Sequence, residues 1–374
     1  MSPPSAIVVG AGIVGAACTE ALAEAGCRVT VLESAFPGAG ATGAAMGHLV
    51  VMDDSEAQFA LTSLSRRLWA ERAADLPPDV EDDPCGTLWV AAGEEEMERV
   101  GRKAAFYEAR GERAEVLDAA GLREAEPRLR PGLAGALRVP GDRVLYAPAA
   151  VRVLLERARR LGAAFWAGLR VEAIEPGRVL CRGGRSFEAD VVVNAAGAEA
   201  PQLTPGLPIV PRRGHLVITD RYPGFLRHQV IELGYLESAH TITRESVAFN
   251  VQPRRTGQVL IGSSRQLGND DPRIDAPILR RMLDRAVGFM PALARLSVIR
   301  TWTGFRASTE DKLPLIGPCP GHERVYLATG HEGLGITTSL ATAQLIAAMV
   351  LGRAPAIDPA PYLPARVERE ASRA

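Results

Sequence analysis

The chain has 374 residues, of which 47% are hydrophobic and 23% charged, and its formal net charge at pH 7 is −1. This length exceeds that of one ordinary hydrophobic core and predicts two domains in a globular protein of average composition. The near-zero charge excludes a general electrostatic attraction to nucleic acid or to an anionic membrane, and neither is expected as a partner.

The cysteine pattern and the apolar segments bear on the cellular compartment. Five cysteines are scattered without a CxxC pair, which argues against a disulfide framework and favours a reducing cytoplasm. The N-terminus MSPPS has no basic leader and no cleavage site, so we expect no signal peptide. The apolar run at 340–351 is too short to span a bilayer and predicts a buried helix. We therefore expect a cytoplasmic protein without a transmembrane segment. It would associate peripherally with the inner membrane only if its electron acceptor were located there.

The first 33 residues predict a dinucleotide-binding unit. An apolar strand at 6–9 runs into Gly10-Ala11-Gly12-Ile13-Val14-Gly15, and a helical pattern, a second strand at 28–32 and Glu33 follow. This order is typical of nucleotide-binding βαβ units, in which the glycines let the backbone approach a pyrophosphate at the helix N-terminus. The Glu33 carboxylate can accept both ribose hydroxyls and would repel a 2′-phosphate, which disfavours NADP.

Small residues dominate the next segment. Glycine and alanine prevail from Gly38 to Gly47, which suits backbone held close to a flat or phosphorylated ligand. His48 follows at once. Two interpretations of His48 remain open here, a hydrogen-bonded structural histidine and a side chain beside the cofactor.

The remaining elements alternate between two architectures. Apolar spacing predicts helices at 55–76, 94–110, 116–126, 149–161, 278–289 and 337–351. Strands are predicted at 88–91, 164–166, 170–174, 179–181, 186–188, 189–193, 215–219, 241–243, 247–252, 258–263, 299–305 and 325–328, with a loop at 312–317. The strands after Pro211 indicate an antiparallel sheet, whereas Asn194–Gly197 and 329–335 repeat the glycine-rich turn of the dinucleotide unit. Dinucleotide-type elements at the start, middle and end of the chain predict interleaved domains.

Four of these motifs together carry a family resemblance. GAGIVG with Glu33, VVVNAAGAEA, WTGFRASTEDKLPLIG and ATGHEGLGITTS resemble the D-amino-acid-oxidase-like flavoenzymes, which include glycine oxidase, sarcosine oxidase and D-amino-acid dehydrogenases. Within that group, AAMGHLVVMDD, GYLESAHTITRESVAFNVQPR and GQVLIGSSRQ resemble bacterial D-hydroxyproline dehydrogenase catalytic subunits.

The resemblance implies an α/β fold in which a Rossmann-like FAD-binding domain of glutathione-reductase type is interleaved with a smaller antiparallel-sheet α+β substrate domain. The predicted FAD-binding domain comprises 1–76, 142–214 and 305–362, the substrate domain comprises 77–141 and 215–304, and 363–374 form a C-terminal tail.

FAD is the implied cofactor, and we expect it to be non-covalent because no residue matches the tethering cysteine or histidine of covalent relatives. The implied cofactor-binding residues are Gly10, Ala11, Gly12, Ile13, Val14, Gly15, Glu33, Ser34, Ala41, Thr42, Ala45, Met46, Gly47, His48, Leu49, Val171, Ala195, Ala196, Gly197, Gly304, Arg306, His331, Gly333, Leu334, Gly335, Ile336 and Thr337. In this arrangement the helix N-terminus at Thr337 would stabilise negative charge on the reduced flavin.

The resemblance also implies a substrate site built on Arg306, His48, Tyr235 and Glu332. Arg306 matches the arginine that binds the substrate carboxylate, for which a guanidinium offers two parallel hydrogen bonds. Its alternative role is an ion pair with Glu310 or Asp311. Tyr235 is either a pocket hydroxyl or a plain sheet tyrosine. Glu332 meets the substrate amine, contacts a partner or lies in a surface turn.

The sequence departs from the family at several of these positions. Gly333 stands where glycine oxidase has a second arginine, and His48 replaces a methionine beside the flavin. Ala307 and Glu310 stand where many relatives have prolines.

The implied reaction is hydride transfer from the carbon next to a carboxylate to flavin N5, which yields an imino acid. The expected substrate is a small amino acid of the cis-4-hydroxy-D-proline or D-proline class. Two alternatives are a glycine or sarcosine oxidase that uses oxygen and a flavin-binding electron-transfer subunit of a hetero-oligomeric dehydrogenase. A partner subunit would then carry an iron–sulfur cluster or a second flavin, because this chain has no cluster-binding cysteine set. An NAD-dependent dehydrogenase is a third alternative. The segment 331–337, which would close on the flavin, argues against it because NAD-dependent enzymes do not need such a segment.

Overall fold

The computed structural model describes residues 3–234 and 245–367. Tyr235 and the predicted strand at 241–243 lie outside the described residues. The helices are α1 Ile13–Glu24, α2 Ala41–Ala44, α3 Glu56–Arg72, α4 Glu94–Glu108, α5 Ala119–Ala125, α6 Ala147–Arg160, α7 Ala200–Leu203, α8 Ala276–Phe289 and α9 Gly335–Val350.

Twenty strands are described. They are β1 Ser5–Val9, β2 Arg28–Leu32, β3 His48–Leu49, β4 Thr87–Ala91, β5 Glu115–Asp118, β6 Gly135–Val139, β7 Arg143–Val144, β8 Ala164–Trp166, β9 Val171–Glu175, β10 Arg178–Cys181, β11 Ser186–Glu188, β12 Val191–Asn194, β13 Val210–Thr219, β14 Gln229–Glu232, β15 Glu245–Pro253, β16 Val259–Leu267, β17 Val298–Ser308, β18 Leu315–Pro318, β19 Val325–Thr329 and β20 His331–Glu332.

The first large sheet has the architecture that the N-terminal motif predicts. Its described strands follow the order β18-β19-β12-β1-β2-β8, and all neighbours are parallel except β18 and β19. The apolar run of β1 is buried between neighbours on both sides, as central parallel strands require. Helix α1 packs against α6 and α9 over this sheet. The Rossmann-like fold expectation is confirmed.

The second large sheet supplies the antiparallel part of the fold. Its described strands follow the order β20-β17-β13-β16-β15-β14-β4-β6-β5, with β14 and β4 as a parallel pair. Helix α8 covers one face through a separate apolar core. Strands β13 and β17 run without interruption past positions 214 and 304, so the sheet crosses the predicted domain boundaries. The division into two domains stays a prediction.

Two sequence predictions of local structure are wrong. The predicted helix at 116–126 begins as strand β5, which pairs with β6, and α5 starts only after Asp118 accepts a hydrogen bond from the Gly121 amide at 2.8 Å. Asp118 is therefore the N-cap of α5, and the helix begins at the next residue. The predicted loop at 312–317 contains β18, which pairs with β19.

Strands β3, β6, β7, β14 and β20 were not predicted. None of the helices in the described ranges has both the length and the apolarity needed to span a membrane.

Candidate active site

The carboxyl ends of the parallel strands meet at one edge of the first sheet. The Gly10 amide donates to the Leu32 carbonyl at 2.8 Å, and the Ala195 amide donates to the Val9 carbonyl at 2.9 Å. Gly10 has φ +99°, and a Cβ there would lie 2.7 Å from the Ala195 oxygen. The glycine-rich turn after β1 and the Asn-Ala-Ala-Gly turn after β12 are therefore neighbours, as the sequence predicts.

The N-terminus of α1 opens onto this edge. A Cβ at Gly15 would lie 1.9 Å from the Gly10 carbonyl oxygen, so only glycine permits this helix to approach β1 so closely. Gly12 provides no side-chain cap, and the Ile13 amide donates to Thr42 Oγ1 at 3.0 Å. An N-terminus with free amide donors is suited to a phosphate group.

Glu33 directly follows β2 at the same edge, with 8% of its surface exposed. Its carboxylate accepts hydrogen bonds from the amides of Ala11 at 2.7 Å and Ala35 at 2.8 Å. Ser34 Oγ also donates to it at 3.2 Å. The Glu33 carbonyl accepts from the Leu169 amide at 2.8 Å, close in sequence to the buried Val171. These bonds fix the carboxylate. Oε1 already accepts two of them, whereas Oε2 accepts only the Ala11 amide and retains a lone pair for a ribose hydroxyl.

The start of α9 closes the other side of the edge. A Cβ at Gly335 would lie 3.8 Å from the side chain of Val14, so α9 begins next to the start of α1. Thr337 Oγ1 donates to the His48 carbonyl at 2.9 Å and accepts from the Val50 amide at 3.3 Å. These contacts join the His48 segment to the helix start.

Most of the predicted cofactor residues lie on these converging turns and on β17, whereas Val171 is in β9 and His331 in β20. Ala41 and Thr42 lie in α2, Ala45 to Leu49 in the following turn and β3, Ala195 to Gly197 after β12, Gly304 in β17, and Leu334 to Thr337 at the start of α9. A Cβ at Gly304 would lie 2.5 Å from that of Ala44. The Met46 carbonyl accepts from Gln252 at 2.8 Å. The convergence of uncapped helix starts, glycine turns and a fixed carboxylate fits FAD.

The side chain of His331 is buried against α9. Its Nε2 lies 3.0 Å from Thr342 Oγ1 inside α9, and burial lowers the pKa of His331 to about 3. It is therefore a neutral structural histidine at physiological pH.

His48 lines a cavity whose strand residues come mainly from the second large sheet, together with Val50, Trp89 and Asn250. Burial and then the positive charge of Arg306 lower the pKa of His48 to about 4, against a weaker effect of Gln252. Its Nε2 is buried and has no hydrogen-bond partner among the described residues. His48 is therefore a neutral imidazole with one ring nitrogen available to a ligand.

Arg306 lies on β17 directly opposite Arg212 of β13. Its Nη1 donates to the Ser264 carbonyl at 3.2 Å. A Cβ at Gly214 would lie 2.5 Å from that Nη1, so the guanidinium occupies the space over a glycine. The predicted alternative of an ion pair with Asp311 is not what the structure shows, because Asp311 binds Arg366 at 2.6 Å.

Glu332 lies on β20, paired with Ala307 of β17. Its side chain is only 12% exposed, and one oxygen, Oε1, faces both Arg212 at 3.4 Å and Arg265 at 3.7 Å. Burial by itself would raise the pKa of Glu332. The charges of Arg265, Arg306 and Arg212 overcome that effect and lower the pKa to about 2. The surface-turn alternative for Glu332 is wrong.

Several residues of this cavity were missed by the sequence interpretation. The cavity is lined by cations from three different segments, by two carboxylates and by an apolar wall: Arg212, Arg265, Lys312, Glu332, Asp54, Trp89, Ile231 and Met52. The sequence signal that could have revealed these residues is Arg212-Arg213-Gly214. In a strand, Arg212 and Gly214 lie on the same face. In the antiparallel sheet, Arg212 is paired with Arg306 and Gly214 with Gly304.

The chain is similar in sequence and structure to flavin-dependent enzymes. A family model described as FAD dependent oxidoreductase matches residues 5–349. A glycine oxidase of Geobacillus kaustophilus is 31% identical over 370 residues, with 95% of each chain covered. A crystal structure of glycine oxidase from that species has a TM-score of 0.87 at 29% identity and covers 97% of this chain and 98% of that one.

Two further relatives differ in name from the oxidases. A D-amino acid dehydrogenase of Xanthobacter autotrophicus is 31% identical over 298 residues, which covers 75% of this chain and 67% of the relative. Hydrogen cyanide synthase subunit HcnC of Pseudomonas aeruginosa is 27% identical over 417 residues, with 97% of this chain and 96% of the relative covered.

Proposed function

The chain belongs to the family of FAD-dependent oxidoreductases, as its motifs predicted, and on that premise we propose that it oxidises the C–N bond of a D-amino acid or a cyclic secondary amino acid of the cis-4-hydroxy-D-proline or D-proline class. Relatives named glycine oxidase and D-amino acid dehydrogenase support an amino acid as the substrate. Family membership decides against the NAD-dependent alternative.

The observation that carries this proposal is the position of Arg306 at the edge of the cavity that His48 lines. A Cβ at Gly333, which lines this cavity, would lie 3.5 Å from Arg306 Nε, and the charge of Arg306 helps to keep the His48 imidazole neutral by lowering its pKa. A carboxylate bound to Arg306 would be held in position and rotation by two parallel hydrogen bonds. The carbon next to that carboxylate would then be oriented toward the flavin edge of the cavity.

The reaction removes a hydride from the substrate carbon and a proton from its nitrogen, so that a C=N bond forms. The hydride acceptor would be supplied by bound FAD. The amine must be neutral to react, because its lone pair forms the new bond. The surrounding arginines disfavour an ammonium group, and neutral His48 presents a ring nitrogen that can accept the amine proton.

We also propose that FAD is held non-covalently by the glycine turns after β1 and β12, by Glu33 and by the start of α9. The uncapped first turn of α1 would hold the pyrophosphate, and the first turn of α9 would lie at the flavin. Heat or acid precipitation, followed by the absorption spectrum of the supernatant, tests this: released flavin supports the proposal, and flavin that stays with the pellet contradicts it.

The substrate proposal is tested by anaerobic mixing of the yellow protein with single amino acids. Cis-4-hydroxy-D-proline and D-proline should bleach the flavin band, and their L enantiomers should not. Faster bleaching by glycine or sarcosine would favour the glycine-oxidase alternative. Absence of bleaching by every amino acid would contradict the proposed reaction and favour an electron-transfer subunit.

We further propose that electrons leave through a partner subunit that carries an iron–sulfur cluster or a second flavin. The similarity to HcnC, a protein named as a subunit, supports this. Slow reoxidation of the reduced protein by air and fast reoxidation by an artificial dye are expected. Rapid formation of hydrogen peroxide would contradict it.

A further inference from the structure

A β-bulge in β16 lies within reach of the Arg306 side chain. Residues 262–265 of β16 face only residues 214–216 of β13, so the backbone ladder between these two strands is interrupted there. A bulge leaves backbone groups without a partner in the ladder and redirects them. Arg306 Nη1 donates to one such group, the Ser264 carbonyl, at 3.2 Å. The bulge therefore makes a backbone acceptor available to the arginine.

His215 on β13 holds Ser264 by two contacts. The His215 amide donates to Ser264 Oγ at 2.9 Å, and His215 Nδ1 lies 2.9 Å from the same oxygen. In a regular antiparallel pair the amide would donate to a carbonyl of the neighbouring strand, and here the serine hydroxyl takes that place. His215 is 0% exposed and Ser264 is 1% exposed. The serine whose carbonyl accepts from Arg306 is thus itself held by one buried histidine.

The second ring nitrogen determines the tautomer of His215. The Asp275 amide donates to Nε2 at 3.0 Å, and because an amide N–H only donates, Nε2 must be unprotonated. Burial, and then the charge of Arg213, lowers the pKa of His215 against the opposing effect of Asp275, so the ring is neutral at pH 7. Its proton is therefore on Nδ1, which donates to Ser264 Oγ.

This chain of hydrogen bonds begins at a helix terminus. Asp275 is the N-cap of α8, and its side chain accepts from the Ile278 amide at 3.2 Å. The cap fixes the Asp275 backbone, and with it the amide that orients the imidazole. A continuous series of bonds then runs from the start of α8 through His215 and Ser264 to Arg306.

We propose that His215 is a positioning residue, which holds the Arg306 guanidinium in place through Ser264 so that it binds the substrate carboxylate. This inference rests on the proposed function, in which Arg306 binds that carboxylate. Two parallel hydrogen bonds to a carboxylate require a guanidinium of fixed position and rotation. His215 is not one of the residues that line the cavity, and it acts on the substrate only through Ser264 and Arg306.

His215 also ties α8 to β13, and two variants separate this structural function from the positioning one. The side-chain amide of asparagine branches at Cγ, as Nδ1 does, so His215→Asn can keep a donor to Ser264 but loses the contact with Asp275. The amide of glutamine extends one bond further and reaches the position of Nε2. His215→Gln can therefore keep an acceptor for the Asp275 amide but loses the donor to Ser264.

The measured quantity is the preference for an acid over its amide in anaerobic flavin reduction. D-proline and D-prolinamide differ only at the group that Arg306 would bind, whereas a loss of folded protein slows the reduction by both equally. His215→Gln should lower the acid preference about tenfold by slowing D-proline alone. His215→Asn should keep the wild-type preference even where its melting temperature falls.

A reference variant and two controls set the scale of the effect. Arg306→Met gives the preference that remains after complete loss, and its control is Arg300→Met, which removes an exposed arginine of the same strand. His228→Gln removes another buried histidine, whose Nδ1 lies 3.2 Å from Glu126. It directly precedes β14, which three strands separate from β17, and the acid preference should be unchanged.

Ser264→Ala is the second variant and serves if His215→Gln does not fold. It removes the other partner of the same hydrogen bond and should lower the acid preference by a similar factor. Combined with His215→Gln it should cause no further loss, because both changes break one interaction. A full acid preference in Ser264→Ala would overturn the positioning role.

The outcomes separate this inference from the proposed function. An acid preference that survives in His215→Gln, or that falls equally in His215→Asn, would overturn the positioning role while the oxidation of D-proline stands. Tetrahydrofuran-2-carboxylate and its carboxamide repeat the comparison by binding alone, measured from the flavin difference spectrum, because their ring oxygen prevents imine formation. A carboxylate preference in that binding, weakened by His215→Gln but without flavin reduction by any amino acid, would support the positioning role and contradict the proposed oxidation.

Discussion

Arg212 and Arg306 face each other directly across β13 and β17. Like charges in opposed positions of a sheet are destabilising, and here the compensating carboxylate comes from the neighbouring strand β20, whose Glu332 pairs with Ala307. The arrangement concentrates cations where a carboxylate substrate is proposed to bind. It also links the stability of this part of the fold to the ionisation of Glu332.

The first prediction concerns Glu332 and pH. The pKa of this carboxyl is lowered from 4.5 to about 2 in the folded protein, which corresponds to about 3 kcal/mol of stability above pH 4.5. Because the folded pKa is the lower one, this contribution is present at neutral pH and is lost as the pH falls from about 4.5 to about 2. Glu332→Gln should lack it.

Urea unfolding at pH 7 and at pH 3 measures this effect. The difference between wild type and Glu332→Gln should be about 3 kcal/mol at pH 7 and should shrink at pH 3. Glu310→Gln removes an exposed carboxylate 22 residues earlier in the chain and should change little at either pH. Equal differences at both pH values would show that Glu332 is not held ionised by the arginines.

The second prediction concerns Gly214. A Cβ there would lie 2.5 Å from Arg306 Nη1 and 2.9 Å from the Ser264 carbonyl oxygen. Gly214→Ala should displace the guanidinium, raise the KM for the amino acid at least tenfold and destabilise the fold by about 1–3 kcal/mol. Gly288→Ala in α8, where nothing lies within 4 Å, is the matched control. An unchanged KM in Gly214→Ala would show that Arg306 does not bind the substrate.

The third prediction concerns Gly15. Its added Cβ would lie 1.9 Å from the Gly10 carbonyl oxygen, so Gly15→Ala must move the helix start away from the turn. We expect the purified variant to have lost most of its flavin absorbance relative to its protein absorbance. Gly101→Ala in α4, with open space around it, should retain a full complement. Normal flavin content in Gly15→Ala would contradict the proposed pyrophosphate site.

The fourth prediction concerns His48. Burial, together with the charge of Arg306, lowers the pKa of this histidine to about 4, so it should stay neutral from pH 5 to pH 8. Nuclear magnetic resonance of the labelled imidazole should show no titration in that range. A midpoint near 6.5 would mean that His48 is exposed to solvent and does not lie in a buried cationic site.

The dinucleotide unit was predictable because its signals are local. Gly10, Gly15 and Glu33 act within one strand–helix–strand segment, and their spacing alone specifies the turn. Strand β14 was missed because its four residues, Gln-Val-Ile-Glu, are all buried and show neither the alternation of apolar and polar residues nor the apolar run by which a strand is recognised.

The cationic cavity depends on the pairing of strands, which cannot be inferred from the local sequence. Arg212, Arg265 and Arg306 belong to three strands, and only the register of β13, β16 and β17 brings them to one carboxylate. Glu332 sits in a glycine-rich stretch typical of an exposed turn, yet β20 adds to the edge of the second sheet and buries it. The burial of Glu332 therefore results from the pairing of β20 with β17, whereas the local sequence pattern is typical of an exposed turn.

The most direct test of the account is whether Arg306 recognises the substrate carboxylate. D-proline and D-prolinamide differ only in that group, and anaerobic flavin reduction measures both. In the wild type, D-proline should be at least a hundredfold more efficient, in line with about 3 kcal/mol for a charge-assisted pair. Arg306→Met should abolish that advantage by slowing D-proline alone, with Arg300→Met as the control. Equal losses for the acid and the amide in Arg306→Met, or no loss for either, would contradict the account.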